Sequence, residues 1–202
     1  MKRFAFTMLE LIFVIIVIAM LAVLAMPNFN RNLLQEAADQ VAGHIRYTQH
    51  LAMNDDKFDP NDGNWHIENW QMQFKPLMGD VYYEIYSDVN HGGNSDNNES
   101  AIDPLTHEAL DGNSEITNLT QKFGITAVAF SNNCHAGASI GELAFDKMGR
   151  PYYYITSTQP AANHIYQYLL TADCVISLQG AEGNATITVR PETGYVSVVL
   201  PN

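Results

Sequence analysis

The sequence predicts an α+β fold in which one long N-terminal helix is followed by an antiparallel β-sheet body. Residues 6–26 are apolar at nearly every position, and residues 28–53 repeat apolar residues at helical spacing. Runs with alternating or β-branched residues occur between residues 65 and 200, separated by turns rich in Asn, Gly and Pro. A helix first and strands after it is the order typical of α+β domains.

The first apolar segment, Phe6–Met26, contains only Thr7 and Glu10 as polar residues. At the rise of an α-helix it would be about 30 Å long, which matches the hydrocarbon core of a bilayer. Lys2 and Arg3 precede it, and the positive-inside rule therefore places the N-terminus in the cytoplasm. We expect one membrane crossing, with the rest of the chain exported.

Glu10 is the unusual residue of this segment. A carboxylate inside a membrane-spanning helix costs on the order of 3 kcal/mol unless it is paired. No Lys or Arg lies within helical reach on its C-terminal side, and a hydroxyl such as that of Thr7 does not neutralise a charge. The sequence therefore predicts a partner for Glu10 outside this segment.

The segment Phe6-Thr7-Met8-Leu9-Glu10, preceded by Lys2-Arg3, resembles the class III signal of type IV pilins and pseudopilins. The resemblance implies that a prepilin peptidase cuts between Ala5 and Phe6 and methylates the new N-terminal Phe6. It also implies that Glu10 pairs with the free amine of a neighbouring subunit's N-terminus during assembly. Ala5 departs from the family, which usually has glycine before the cut.

The same resemblance implies a pilin fold and a bacterial inner-membrane location, with the C-terminal domain in the periplasm. Pro27 lies where pilins often carry a helix-bending proline. The expected organisation is a leader peptide (1–5), a transmembrane half-helix (6–26), an amphipathic half-helix (27–53) and a β-rich periplasmic domain (54–202). The implied partners are other pilin or pseudopilin subunits, the prepilin peptidase and the inner-membrane assembly platform.

Two other interpretations of the N-terminus remain open at this point. One is a secretory signal peptide cleaved after Ala25, and the other is an uncleaved membrane anchor. A glutamate at the start of the apolar core and the length of the run argue against the signal peptide.

The helix predicted after Pro27 places its apolar residues on one face: Leu33, Leu34, Ala37, Ala38, Val41, Ala42, Ile45 and Leu51. The predicted strands are Trp65–Lys75, Val81–Asp88, Gly124–Ser131, Leu143–Asp146, Pro151–Thr156, Asn184–Arg190 and Tyr195–Leu200. The pattern of His164–Thr171 fits a strand or a short helix equally well.

Two short patterns resemble the GspH/FimT class of minor pseudopilins. Phe145–Pro151 is similar to that class's F-D-x-x-G-R-P turn, and Ile187–Val196 is similar to its closing hairpin. The implied function is a structural subunit, a minor pilin or pseudopilin of a type II secretion or type IV pilus-like filament, with no catalytic activity. The alternatives are a filament-tip module that binds cargo or a receptor, and a competence pseudopilin.

A polar loop from Asp88 to Glu99 has the spacing of a calcium-binding loop. Its candidate ligands are Asp88, Asn90, Asn94, Asp96 and Glu99. Some major pseudopilins bind calcium in a loop, which is consistent with this interpretation. A solvated insertion rich in Asn, Asp and Gly would have a similar composition, so a calcium cofactor and a bare loop both remain open.

The two cysteines, Cys134 and Cys174, lie in the part of the chain that we expect to be exported. An oxidising compartment favours a disulfide between them, and two separately buried thiols are the alternative.

The charge of the chain and its motifs exclude several functional classes. A net charge of −12 and a pI near 4.7 repel polyanions, so nucleic acid is not expected as a ligand. The sequence contains no H-E-x-x-H, G-x-S-x-G or P-loop motif. We therefore expect a protein that is not an enzyme.

Overall fold

The computed structural model describes residues 7–25, 32–96, 98–134, 140–155 and 167–201. These residues belong to two compact units, Met1–Asn32 and Leu33–Asn202, and each is described here by itself. The first unit contains helix α1, Met8–Ala25. The second contains every strand that the structure describes and is called the body below.

Helix α1 exposes apolar side chains on every side. Each described side chain from Met8 to Leu21 is exposed, and Glu10 is the one charged residue among them. A helix that is apolar all round is typical of a segment that is covered by lipid or by other helices. Among the residues that the structure describes, no helix meets both the length and the apolar character needed to cross a membrane.

The body begins with helix α2, Leu33–Asn54, and continues with a β-rich region. Its remaining elements are β1 Gln71–Leu77, β2 Asp80–Tyr86, α3 Leu119–Phe123, β3 Ala127–Phe130, β4 Gly141–Phe145, β5 Pro151–Tyr152, β6 Cys174–Gly180, β7 Gly183–Val189 and β8 Val196–Val199. Two 3-10 turns, Trp65–Glu68 and Asn132–Cys134, lie between these elements.

The strands form two four-stranded antiparallel sheets, with strand orders β2-β1-β4-β5 and β3-β6-β7-β8. Phe74 pairs with Tyr83 in the first sheet, and Ile176 pairs with Ile187 in the second. The α+β class predicted from the sequence is confirmed. The sequence predicts one sheet, whereas the described residues form two.

Helix α2 covers strands of both sheets, namely β1 and β4 of the first and β6, β7 and β8 of the second. Its buried face consists of Leu34, Ala37, Ala38, Val41, Ala42, Ile45, Thr48 and Ala52. Alanine at four of these positions keeps the helix surface flat, so that backbones can approach closely. The face matches the apolar spacing read from the sequence, except that Leu33 and Leu51 are only half-buried.

The strand predicted for Trp65–Lys75 is wrong in its first part. Trp65–Glu68 forms a 3-10 turn instead, because the backbone N–H groups of Trp65 and Ile67 donate to the carbonyls of Asp62 and Asn64. The ladder begins only at Gln71.

Strand β6 and helix α3 were not predicted, although a local sequence pattern marks each of them. In β6, Cys174, Ile176 and Leu178 are buried and alternate with half-buried residues. Helix α3 has its N-cap at Asn118, which accepts from the backbone N–H of Gln121, and Gly124 at its C-terminal end has a φ of 69°.

The other predicted strands are present with shifted ends. The strand predicted for Pro151–Thr156 extends only to Tyr152, and Thr156 lies outside the described residues. Of the segment left open, residues 167–171 form no helix or strand, and Leu169 makes an isolated bridge with Tyr152.

The turn between β4 and β5 is organised by Asp146. Its Oδ1 accepts the backbone N–H groups of Met148 and Arg150, each at 2.9 Å, and its Oδ2 accepts Arg150 Nε at 2.7 Å. The buried hydroxyl of Tyr152 donates to the same Oδ2 at 3.3 Å. Gly149 completes the turn with a φ of 75°, a conformation that favours glycine. These contacts explain why the F-D-x-x-G-R-P pattern needs its Asp, Gly and Arg.

The turn between β7 and β8 lies against the turn between β4 and β5. Gln49 of α2 joins them, because its Nε2 donates to the carbonyl oxygens of both Gly149 (2.8 Å) and Thr193 (2.9 Å). A Cβ atom at Gly194 would lie 2.5 Å from Gln49 Nε2 and 2.9 Å from the Gly149 oxygen. Glycine at position 194 is therefore required for this approach.

This packing predicts that Gly194→Ala destabilises the body more than Gly124→Ala. Both glycines have a left-handed φ, 61° and 69°, so both substitutions carry a similar backbone cost. Only position 194 has atoms within 4 Å of the new Cβ, and overpacking there should add about 1–3 kcal/mol. Urea unfolding of the full chain in detergent, followed by circular dichroism, measures the difference. Equal losses of unfolding free energy would contradict the close approach.

Candidate functional site

Of the residues assigned to processing and assembly, only Glu10 lies in the described part of the chain. Ala5, Phe6 and Pro27 lie outside it. Glu10 is in the first turn of α1, and the apolar surface around it comprises Met8, Leu9, Leu11, Ile12, Phe13, Val14, Ile15, Ile16, Val17, Ile18, Met20 and Leu21. This surface is the candidate assembly surface.

Glu10 also has a local role at the start of α1. Its backbone N–H donates to Thr7 Oγ1 at 3.3 Å, as in the first half of a capping box. A carboxylate in the first turn also interacts favourably with the helix dipole. Its carboxylate makes no hydrogen bond or ion pair with any residue that the structure describes. It is an exposed charge on an otherwise apolar surface and can accept a cation from another chain.

Cys134 and Cys174 form a disulfide, as the sequence favoured. Their Cα atoms are 5.3 Å apart, and both side chains are fully buried. The bond joins the 3-10 turn after β3 to the first residue of β6. With a sequence separation of 40, it stabilises the fold by about 4 kcal/mol in the chain-entropy description.

The predicted calcium loop is closed by hydrogen bonds among its own residues. The buried Asp88 carboxylate accepts the backbone N–H groups of Gly92 and Gly93, each at 2.8 Å. Glu99 Oε1 accepts the backbone N–H of Asn90 at 2.9 Å, and Asn90 Nδ2 donates to Asp96 Oδ1 at 2.9 Å. Asn94 lies in the same loop, with its side-chain oxygen close to Gly92. Calcium binding by these residues stays a prediction.

A polar cluster joins α2 to β2. His44 Nδ1 and the Tyr83 hydroxyl are 2.7 Å apart, His44 Nε2 is 3.4 Å from Asp103 Oδ2, and Gln40 Nε2 donates to Tyr83 at 2.7 Å. Burial lowers the pKa of His44, and the nearby Asp103 carboxylate opposes this shift. Burial raises the pKa of Tyr83, so its hydroxyl stays protonated. The cluster holds α2 against the first sheet.

Glu142 of β4, in the first sheet, is a buried carboxyl group with a shifted pKa. Burial raises its pKa to about 7, although hydrogen bonds from the Ile155 backbone (2.8 Å) and Gln73 Nε2 (3.3 Å) oppose the shift. The sequence alone predicts neither Glu142 nor the His44 cluster as a site. No local motif marks them, because their partners come from distant parts of the chain.

Comparison of the chain with protein-family models, with curated proteins and with solved structures finds no match.

The raised pKa of Glu142 predicts that this carboxyl destabilises the body progressively as the pH rises from about 4.5 to 7, whereas the lowered pKa of His44 acts in the opposite direction. The folded state holds this proton where the unfolded chain has released it, so up to about 3 kcal/mol of unfolding free energy is lost across that interval. The variant Glu142→Gln cannot ionise and should remove this part of the pH dependence. The exposed Glu182→Gln should leave it intact. Denaturant unfolding between pH 4 and 8 measures both, and parallel curves for Glu142→Gln and the wild type would contradict the prediction.

Proposed function

We propose that this chain is a structural subunit, a minor pilin or pseudopilin, of a type II secretion or type IV pilus-like filament. The observation that carries the proposal is Glu10. It is an exposed carboxylate without a partner among the described residues, in the first turn of a helix that is otherwise apolar on all sides. Such a helix serves assembly better than catalysis.

In this proposal the segment Phe6–Met26 anchors the chain in the inner membrane before assembly, and it extends beyond the described helix at both ends. The body then lies in the periplasm. The disulfide between Cys134 and Cys174 supports an exported body, because disulfides persist in oxidising compartments. The two turns that resemble the GspH/FimT class support the narrower assignment to minor pseudopilins.

Assembly brings α1 helices of several subunits together, and their apolar surfaces supply the cohesion by close packing. Glu10 sets the register. In the correct register its carboxylate meets the N-terminal amine of the mature neighbour, whereas any other register leaves the charge buried without a partner. The filament works through assembly in this proposal, and the chain performs no catalysis.

Glu10→Gln should leave the protein in the membrane but reduce its incorporation into filaments by about tenfold or more. The amide keeps the size of the side chain and removes only the charge that pairs with the neighbouring amine. Sheared filaments, immunoblotted for this subunit and compared with the membrane fraction, measure the ratio.

Asp39→Asn is the matched control, because it removes one carboxylate from the exposed side of α2. It should incorporate normally. Normal incorporation of Glu10→Gln would count against the register mechanism, and loss of incorporation in both variants would point to net charge instead.

The mature N-terminus should be N-methyl-Phe6. Mass spectrometry of the protein purified from its native membranes identifies this terminus directly. A chain that starts at Met26 would identify a secretory signal peptide, and an intact Met1 would identify an uncleaved anchor; both would overturn the assignment.

A further inference from the structure

Three side chains from separate segments of the body converge, and none of them is a predicted calcium ligand. Asp62 lies in the loop after α2, Glu68 ends the 3-10 turn before β1, and His91 lies in the loop after β2. One ligand atom from each residue lies within 4.8 Å of the other two, and all three side chains are half-buried. We call this group the Asp62–Glu68–His91 cluster.

The imidazole of His91 lacks the partner that its burial calls for. Its Nε2 is buried and makes no hydrogen bond, and the nearest carboxylate oxygen, Glu68 Oε1, is 3.4 Å away. That separation exceeds the usual N–H···O range of about 2.7–3.2 Å. Leaving such an atom unsatisfied is unfavourable, so the arrangement requires an explanation.

The observed separation fits two ligands of one metal ion. Atoms bonded to a tetrahedral zinc ion at about 2.0–2.1 Å are about 3.4 Å apart. The Nε2 of His91 and the Oε1 of Glu68 are separated by that distance. The Asp62 ligand atom lies within 4.8 Å of both of these atoms.

Hydrogen bonds outside the cluster hold the Asp62 carboxylate, the backbone of Glu68 and the backbone that follows His91. Asp62 Oδ1 accepts the backbone N–H of Asn64 at 2.8 Å, which orients the carboxylate and leaves lone pairs for a metal. The Glu68 carbonyl accepts the Ser87 hydroxyl at 2.6 Å. The Asp88 carboxylate fixes the backbone just after His91 through its two N–H contacts. One ligand carboxylate and the backbone near the other two ligands are therefore held in place before an ion binds.

A simple ion pair between Glu68 and a protonated His91 is the competing explanation. This ion pair neutralises the Glu68 carboxylate alone. The Asp62 carboxylate still lies beside another negatively charged group. A divalent cation neutralises both carboxylates and gives the imidazole nitrogen a partner. One nitrogen and two oxygen donors suit zinc and similar first-row ions, whereas calcium and magnesium take oxygen ligands.

We propose that Asp62, Glu68 and His91 bind one divalent first-row transition ion, with Zn²⁺ as the reference ion and water completing the coordination. The ion joins the segment before β1 to the loop after β2. This site uses none of the residues predicted to bind calcium, and it is independent of the proposed role in a filament.

The test uses the full chain, without a histidine tag, in detergent and freed of metal by a chelator. Calorimetric titration with ZnCl₂ should show one ion per chain. The variant His91→Asn should weaken the affinity at least tenfold, because it removes the nitrogen ligand. Asparagine tolerates the left-handed φ of 59° at this position, so the backbone is preserved.

His107→Asn is the matched control, since His107 is also left-handed, with a φ of 62°, and is exposed. It should bind zinc as the wild type does. Glu68→Gln is a second ligand variant and should weaken binding as His91→Asn does. Circular dichroism verifies the fold of each variant. Zinc should raise the thermal unfolding midpoint of the wild type and the His107 variant, and should raise it much less in both ligand variants.

Three results would overturn the proposal. They are zinc affinity unchanged in both His91→Asn and Glu68→Gln, titration of the wild type without saturation at one ion per chain, and saturation by CaCl₂ but not by ZnCl₂. The last result would assign the loop to calcium.

Discussion

The side-chain amide of Gln49 connects α2 to the hairpin turns of both sheets. Its Nε2 donates to the carbonyl oxygens of Gly149 and Thr193, and Gly194 leaves the room that this contact needs. The nearby Arg46 donates to the Val196 carbonyl at 3.0 Å, so α2 is bonded to the second sheet a second time. Without α2, the two sheets would lose the element that covers strands of both. The polar contacts therefore fix the position of α2 along its own axis. The packing of its alanines sets its distance from the sheets.

The two helices follow different physical rules. Helix α2 has one buried face and meets the body through directional bonds, including those of His44 and Gln40 to Tyr83. Helix α1 has no such division, because every described side chain up to residue 22 is exposed and nearly all are apolar. An amphipathic helix is satisfied within its own chain, whereas a uniformly apolar one requires lipid or other chains. The difference between α1 and α2 is thus already present in the side-chain pattern.

Local patterns predicted most of the secondary structure but only part of the sites. The buried face of α2 follows directly from helical spacing, and the turn at Asp146 follows from residues within a short motif. The presence of two sheets could not be read locally, because it depends on which strands pair across the chain. The candidate calcium ligands follow from regular spacing within one loop, and calcium binding by them stays a prediction. The Asp62–Glu68–His91 cluster has no such spacing, because it forms only when three separate segments fold together.

The energetics of Glu10 separate its local role from its role in assembly. Capping by Thr7 and the helix dipole each favour a glutamate here, but the dipole contributes only about 0.3–1 kcal/mol, and less where salt screens it. Placing a carboxylate among apolar surroundings costs on the order of 3 kcal/mol. The hydrogen bond to Thr7 and the helix dipole therefore explain why a glutamate is tolerated at the start of α1. They do not offset the cost of its charge when other apolar groups cover the surface around it. In the proposed filament, a cation from another chain supplies the difference, and it does so only in one register.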